Sequence, residues 1–224
     1  MNLSNKNIIL TGASSGIGKE ILNILSAYKG TKIIAVARHI ENIPQIDEVI
    51  FPFSADVSTK DGVDKVFEYA KQKVGRIDIF IANAGFAYIE KLDTPDWQHI
   101  ENIYDLNVFS PIYSLEKLVA ESNSEQIAFA CTISGAGLVS LPAYSLYCST
   151  KAALHHFVQT YRSEPKKTLQ ITAIYPVATR TYFFDKAADE DNTPLPFPTP
   201  TAEIVVRRII NGLEKGKKKI DPST

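Results

Sequence analysis

Tyr147 and Lys151, in the stretch YCSTK, set a phenol and an ammonium four residues apart. On a helix that spacing puts both on one face, their tips within reach of one solute. A free phenol ionises near pH ~10, and a fixed cation beside it favours the phenolate and draws that value down toward working pH. The pair reads as a tuned acid/base. Solvated helices carry the same spacing, so the rest of the chain has to show what stands around it.

A second candidate lies near the start. TGASSGIG, residues 11–18, follows an apolar run and leads into a helical pattern. Gly12, Gly16 and Gly18 allow a tight turn and close approach, while Ser14, Ser15 and Ile17 bring unpaired N–H groups to a helix start where an anion is favoured. A pyrophosphate suits that place. The glycine spacing differs from the commoner dinucleotide fingerprint, which also carries an acid about 20 residues on for a ribose 2′-hydroxyl. Here the chain reads AVARHI: Ala37 is uncharged and Arg38 is cationic. A 2′-phosphate is therefore welcome, which predicts NADPH/NADP in preference to NADH/NAD.

The elements that must hold these residues follow from hydrophobic pattern. NIILTG, KIIAVA, VIFPF, IDIFIA, QIAFACTI and LQITAI are short, β-branched and apolar on both faces, as strands of a parallel sheet are. Between them run segments with helical spacing, GKEILNILSAYK, DGVDKVFEYAKQKV, TPDWQHIENIYDLNVFSPIYSLEKLVAES and TKAALHHFVQTYRSE. Alternation of this kind predicts an α/β fold, a doubly wound parallel sheet with helices on both faces. The chain has no internal repeat, and residues 1–224 are expected to form one domain. Residues 176–200, with prolines at 194, 196, 198 and 200 and an acidic stretch, read as a long loop near the substrate, and the ending KKKIDPST leaves room for only a short last strand.

Composition narrows the classes. With 224 residues, 45% hydrophobic, the chain can bury a large core, and Lys+Arg 24 against Asp+Glu 25 gives no overall pull toward nucleic acid. The basic run at 215–219 reads as a solvated helix end. Cys131 and Cys148 form neither a CxxC pattern nor a disulfide framework, no His/Cys/carboxylate pattern spells a metal site, and His155 and His156 read as packing or solvated residues. A membrane span and a leader are not expected, so a soluble, cytoplasmic location is.

Together these residues resemble the short-chain dehydrogenase/reductase family, a Rossmann-like fold, over nearly the whole length. The resemblance rests on TGASSGIG, Asp56-Val57, Asn83-Ala84-Gly85, Asn107, Ser134 and YCSTK, in that order on the expected elements. It implies that Asp56 and Val57 contact the adenine, the lesser alternative being that Asp56 only caps a turn, and that Asn83, Ala84 and Gly85 line the cofactor channel. It implies Asn107, Ser134, Tyr147 and Lys151 as the catalytic set. Lys151 would also hold the nicotinamide ribose. After the sixth strand the chain reads YPVATRT: Pro176 fits the family, Val177 stands where a glycine is usual, and Thr179 and Thr181 compete for the carboxamide contact. Homodimers or homotetramers, paired through the helices bearing Asn107 and Tyr147, are implied as well.

The chemistry then has a direction. Ser134 leaves a strand and Tyr147 rises from a helix, so two hydroxyls converge on one carbonyl oxygen that becomes negative as it accepts hydride. Tyr147 gives the proton and Lys151 assists. Pro111 lacks the N–H that would pair with the Asn107 carbonyl, so the helix should bend there; the resemblance implies a water at that carbonyl, linking Lys151 to solvent. The expected activity is NADPH-dependent reduction of a ketone or aldehyde; Phe86, Tyr88, Ile89, Tyr182, Phe183, Phe184 and Phe197 read either as an apolar cleft for its substrate or as residues that pin the loop to the domain. An NADP-dependent alcohol oxidation uses the same residues, and a non-catalytic NADP(H) sensor uses the same fold without needing the acid.

Overall fold

A computed structural model describes residues 1–89, 95–123, 125–164, 168–179, 181, 183 and 199–222. In chain order the elements are β1 (Asn7–Thr11), α1 (Gly16–Leu25), β2 (Lys32–Ala37), β3 (Ile50–Ser54), α2 (Lys60–Val74), β4 (Ile79–Ala82), α3 (Trp97–Tyr104), α4 (Ser110–Glu121), β5 (Ile127–Thr132), α5 (Ser145–Ser163), β6 (Leu169–Ile174), α6 (Ala202–Glu214) and β7 (Lys219–Ile220). The strands form one parallel sheet in the order β3-β2-β1-β4-β5-β6-β7. The doubly wound α/β expectation is met.

Each central strand is buried on both faces because its residues alternate between two cores. Ile8 and Leu10 join Ile21, Leu22 and Leu25 of α1 and Val205, Val206 and Ile209 of α6, whereas Ile9 joins Val63, Val66 and Phe67 of α2 and Leu115, Leu118, Leu154 and Val158 of α4 and α5. Phe67, Phe80 and Phe129 stack in sequence within the second core, with ring centroids 5.5 and 5.8 Å apart. Pro52, which cannot donate to a ladder, is confined to β3 at the sheet edge. Strand order reverses between β1 and β4, and in such sheets the crevice for a ligand opens at the carboxyl ends of the strands there.

Two expectations change and one falls largely outside the described residues. The long helix expected around Asn107 does not simply bend: it passes through a π-helical turn at Asp105–Phe109, in which the Ser110 N–H bonds the Asp105 carbonyl, before restarting as α4 with Pro111 in its first turn. A proline cannot supply the N–H that continues an α-helix, and one extra residue in the turn lets the chain restart around it. The basic run at 215–219 caps α6 at Lys215 but ends inside β7, which is only two residues long. Most of the expected loop at 176–200, including Tyr182, Phe184 and Phe197, lies outside the described residues. Among the described residues no helix is long and apolar enough to cross a membrane.

Candidate active site

The first turn of α1 is open to a ligand. Thr59, Asp96 and Thr201 cap the N-termini of α2, α3 and α6 with their side chains, but Ser15 makes no such bond, so the leading N–H groups of α1 keep their capacity for an anion. Gly12 holds φ at +69°, a conformation costly for any residue with a Cβ, and a Cβ on Gly18 would stand 2.0 Å from the Gly12 carbonyl oxygen. Gly18→Ala should therefore lower the stability of the fold by about 3 kcal/mol, seen as an earlier midpoint in urea unfolding.

This turn forms one end of a cavity of about 520 Å³ along the carboxyl ends of β1, β2, β4, β5 and β6. Of the residues singled out in the sequence, Gly12, Ser14, Ser15, Gly16, Ile17, Arg38, Asp56, Val57, Asn83, Ala84, Gly85, Ser134, Tyr147, Pro176, Thr179 and Thr181 line it. Gly18, Asn107 and Lys151 stand behind the wall. Arg38 is exposed at the mouth beside His39, and its guanidinium makes no ion pair among the described residues. Asp56 does cap a turn, accepting from the Ser58 N–H at 3.0 Å and the Ser58 hydroxyl at 2.7 Å through Oδ1, and it still faces the cavity.

The proton-handling groups meet at the other end. Ser134 follows β5 with φ 114° and ψ 153°, a region that residues other than glycine seldom enter and that costs of order 1–3 kcal/mol. From there its hydroxyl accepts the Ala136 N–H at 3.2 Å, and it lies near enough to the Tyr147 phenol to act on its ionisation. Tyr147 is only 4% exposed, packed among Ala87, Ile103 and Ala136 with Tyr144 and Phe183 beside it. The Lys151 Nζ lies 5.7 Å from the centre of the Tyr147 ring and donates to the Thr132 carbonyl at 3.0 Å.

Contrary to expectation, the lysine does not bring the phenol down to working pH in this arrangement, because burial outweighs it. Burial pushes Tyr147 up to about 12, against a lowering by the nearby Ser134 hydroxyl. Burial also brings Lys151 down to about 8. The reason is shared: both tips lie in an apolar wall, where either charged form loses its hydration, and the ammonium is aimed at a backbone carbonyl instead of the phenol oxygen.

Asn107 is locked by its side chain. Its Oδ1 accepts the Phe86 N–H at 3.2 Å, and its Nδ2 donates to the Phe86 carbonyl at 2.9 Å and the Thr150 hydroxyl at 3.1 Å. Thr150 in turn donates to the Tyr147 carbonyl at 2.8 Å. One buried amide thus ties the turn after β4 to the π-helical turn and to α5, immediately beside Lys151.

Comparison with known proteins agrees with this geometry. Residues 6–192 match the short chain dehydrogenase family. The chain belongs to that family. Among its relatives, an uncharacterized oxidoreductase of Listeria innocua is 31% identical over 205 residues, covering 85% of this chain and 81% of the relative. A short chain dehydrogenase/reductase of Burkholderia phymatum, solved in complex with NAD, superposes with a TM-score of 0.85 at 16% identity over 99% of this chain and 90% of that one. A short-chain dehydrogenase from Sphingobium yanoikuyae, solved with NADPH, gives 0.84 at 22% identity over 97% and 87%.

This short-chain dehydrogenase carries Val177 after Pro176, where a glycine is usual. Val177 does not have a positive φ, so the path after Pro176 accommodates a Cβ. Thr179 gives its hydroxyl proton to the Val177 carbonyl at 2.8 Å, while the Thr181 side chain packs against Gly16, 3.5 Å from where a Cβ there would be. The two threonines so make different contacts. Sequence reading missed Thr132 and Thr150; each is a threonine beside a chosen residue whose hydroxyl matters only because the fold places an amide opposite it. His155, taken as a packing residue, meets the Tyr175 hydroxyl through Nδ1 at 2.7 Å.

Proposed function

We propose that this oxidoreductase reduces a ketone or aldehyde to an alcohol using NADPH. The observation that carries the reading is that the Ser134 and Tyr147 hydroxyls line the same cavity, with the phenol held protonated far above neutral pH. A proton donor in that state suits reduction, in which the carbonyl oxygen must leave as a hydroxyl.

The uncapped start of α1 with Gly12, Ser14, Ser15 and Gly16 would hold the cofactor's pyrophosphate, and Arg38 its 2′-phosphate. When bound, the cofactor supplies hydride from a reduced nicotinamide. The protein does the rest. Ser134 and Tyr147 direct two hydroxyls at the carbonyl oxygen and stabilise its growing charge. Tyr147 then passes its proton to that oxygen. Lys151, over the same ring, stabilises the phenolate left behind, and in a buried site a unit charge at that range carries more weight than in water. Phe86, Tyr88 and Phe183 give the outer cavity an apolar lining, which suits a mostly hydrophobic substrate. Exposed Phe109, beside Asn107 at the start of α4, supports pairing of copies through that helix.

NADPH oxidation followed across ketones, aldehydes and quinones tests the activity; tight NADPH binding without turnover on the whole panel would leave a sensor. Cofactor choice has its own check. Arg38→Ala should raise KM for NADPH roughly 10- to 100-fold and KM for NADH by less than about twofold, because only the former loses a charge-assisted contact. Equal effects on both would remove the 2′-phosphate assignment.

A further inference from the structure

Three polar side chains run in a row across the carboxyl edge of the sheet, from Thr11 on β1 through Asn83 after β4 to Thr132 on β5. The backbone pairing of β4 with β5 ends at Ala82 and Cys131, so Asn83 and Thr132 are the first residues beyond it. Their side chains carry the ladder one step further. The Thr132 hydroxyl donates to Asn83 Oδ1 at 3.2 Å. Asn83 Nδ2 donates to the carbonyls of Thr11 at 3.2 Å and Gly12 at 3.4 Å. The Thr11 hydroxyl accepts the N–H groups of Asn83 and Ala84, each at 3.1 Å.

The chemistry of the amide fixes its direction. Thr11 and Gly12 present only carbonyl oxygens to it, so the NH₂ end must face them and the oxygen must face β5. Thr132 supplies the donor that end requires. The same residue offers its carbonyl to Lys151 Nζ at 3.0 Å.

We propose that Thr132 is a positioning residue that registers the phosphate-binding turn against the proton-handling group: its side chain holds Gly12 through Asn83, and its backbone holds Lys151. The inference rests on the cavity being the cofactor site. Valine at 132 has nearly the same shape, keeps the carbonyl that receives Lys151, and removes only the donor to Asn83. The amide is then free to turn, and the Gly12 turn loses its tether.

Hydrogen exchange on ligand-free protein and fluorescence titration with NADPH test this together. In Thr132→Val, exchange should quicken roughly tenfold at residues 12–18 while the rest of the sheet keeps its protection, and Kd for NADPH should rise roughly tenfold. Thr132→Ser should restore both. Unaltered exchange and Kd in the valine variant would overturn the proposal, as would faster exchange spread evenly over the sheet. A double-mutant cycle with Asn83→Ala separates positioning from direct contact: the effect of the valine on Kd should vanish once Asn83 is gone, and a full effect there would mean that Thr132 touches the cofactor itself. Failure of the wild-type protein to bind NADPH would refute the cofactor reading instead, and exchange in the free protein would still judge the link to Asn83.

Discussion

Tyr147→Phe should lower kcat for NADPH-driven carbonyl reduction roughly a thousandfold while leaving Kd for NADPH within about twofold. The ring is a packing element as well as an acid, standing 6.4 Å from Tyr144 and 5.8 Å from Phe183 between centroids, and phenylalanine keeps those contacts. What is lost is the phenol proton donor that lines the cavity with Ser134. Steady-state kinetics with saturating NADPH, alongside fluorescence titration of the cofactor, measure both halves. A variant that reduced substrate at a tenth of the wild-type rate would mean that water or Ser134 delivers the proton and that the assignment of Tyr147 is wrong.

Lys151→Met should do two opposite things. Reduction should fall roughly a hundredfold, because the phenolate left by Tyr147 loses its nearby cation. Stability at pH 7 should rise. Burial holds the folded-state pKa at about 8, down from 10.5, so the folded protein bears a desolvation penalty on the order of 3 kcal/mol wherever the lysine is charged in both states. Leaving the Thr132 carbonyl without its donor returns about 1 kcal/mol of that, for a net gain of about 2 kcal/mol. The sign with pH follows from the depressed value. Between pH 8 and 10.5 the folded lysine is neutral while the unfolded one still binds a proton, so the wild type gains stability as pH climbs through that window and the advantage of methionine shrinks. Urea unfolding of both proteins at pH 7, 9 and 10.5 reads this directly; a less stable variant at pH 7 would show that the ammonium is well solvated. The wild-type reduction rate should also decline above pH about 8, as the cation is shed.

These two effects explain why some of the site was legible in the chain and some was not. Strand runs such as KIIAVA and IDIFIA must be buried on both faces, and the parallel order follows from their alternation with helices. The residues of the glycine-rich turn and YCSTK were legible because their relative placement depends on local geometry, a turn in one case and a single helical step in the other. The mutual influence of Tyr147 and Lys151 was not. Four residues of spacing put them on one face, but burial outweighs their attraction, and burial depends on Ala87, Ile103 and Ala136, which come from distant parts of the chain. Pro111 marked a break in the helix, yet the form of that break, a π-helical turn, depends on the Asn107 amide being gripped by Phe86 and Thr150 across three elements. Thr132 carried no signal at all until β4 and β5 were laid side by side.

The central claim is that hydride leaves the bound cofactor for a carbonyl carbon while Tyr147 protonates the oxygen. NADPH carrying deuterium at the transferable C4 position tests it most directly, with product mass read for each carbonyl compound that wild type and Tyr147→Phe are given. The wild-type protein should place one deuterium on the carbinol carbon, and the variant should form labelled alcohol roughly a thousandfold more slowly. NADPH bound tightly by the wild type, with no deuterium passed to any compound tried, would contradict the account.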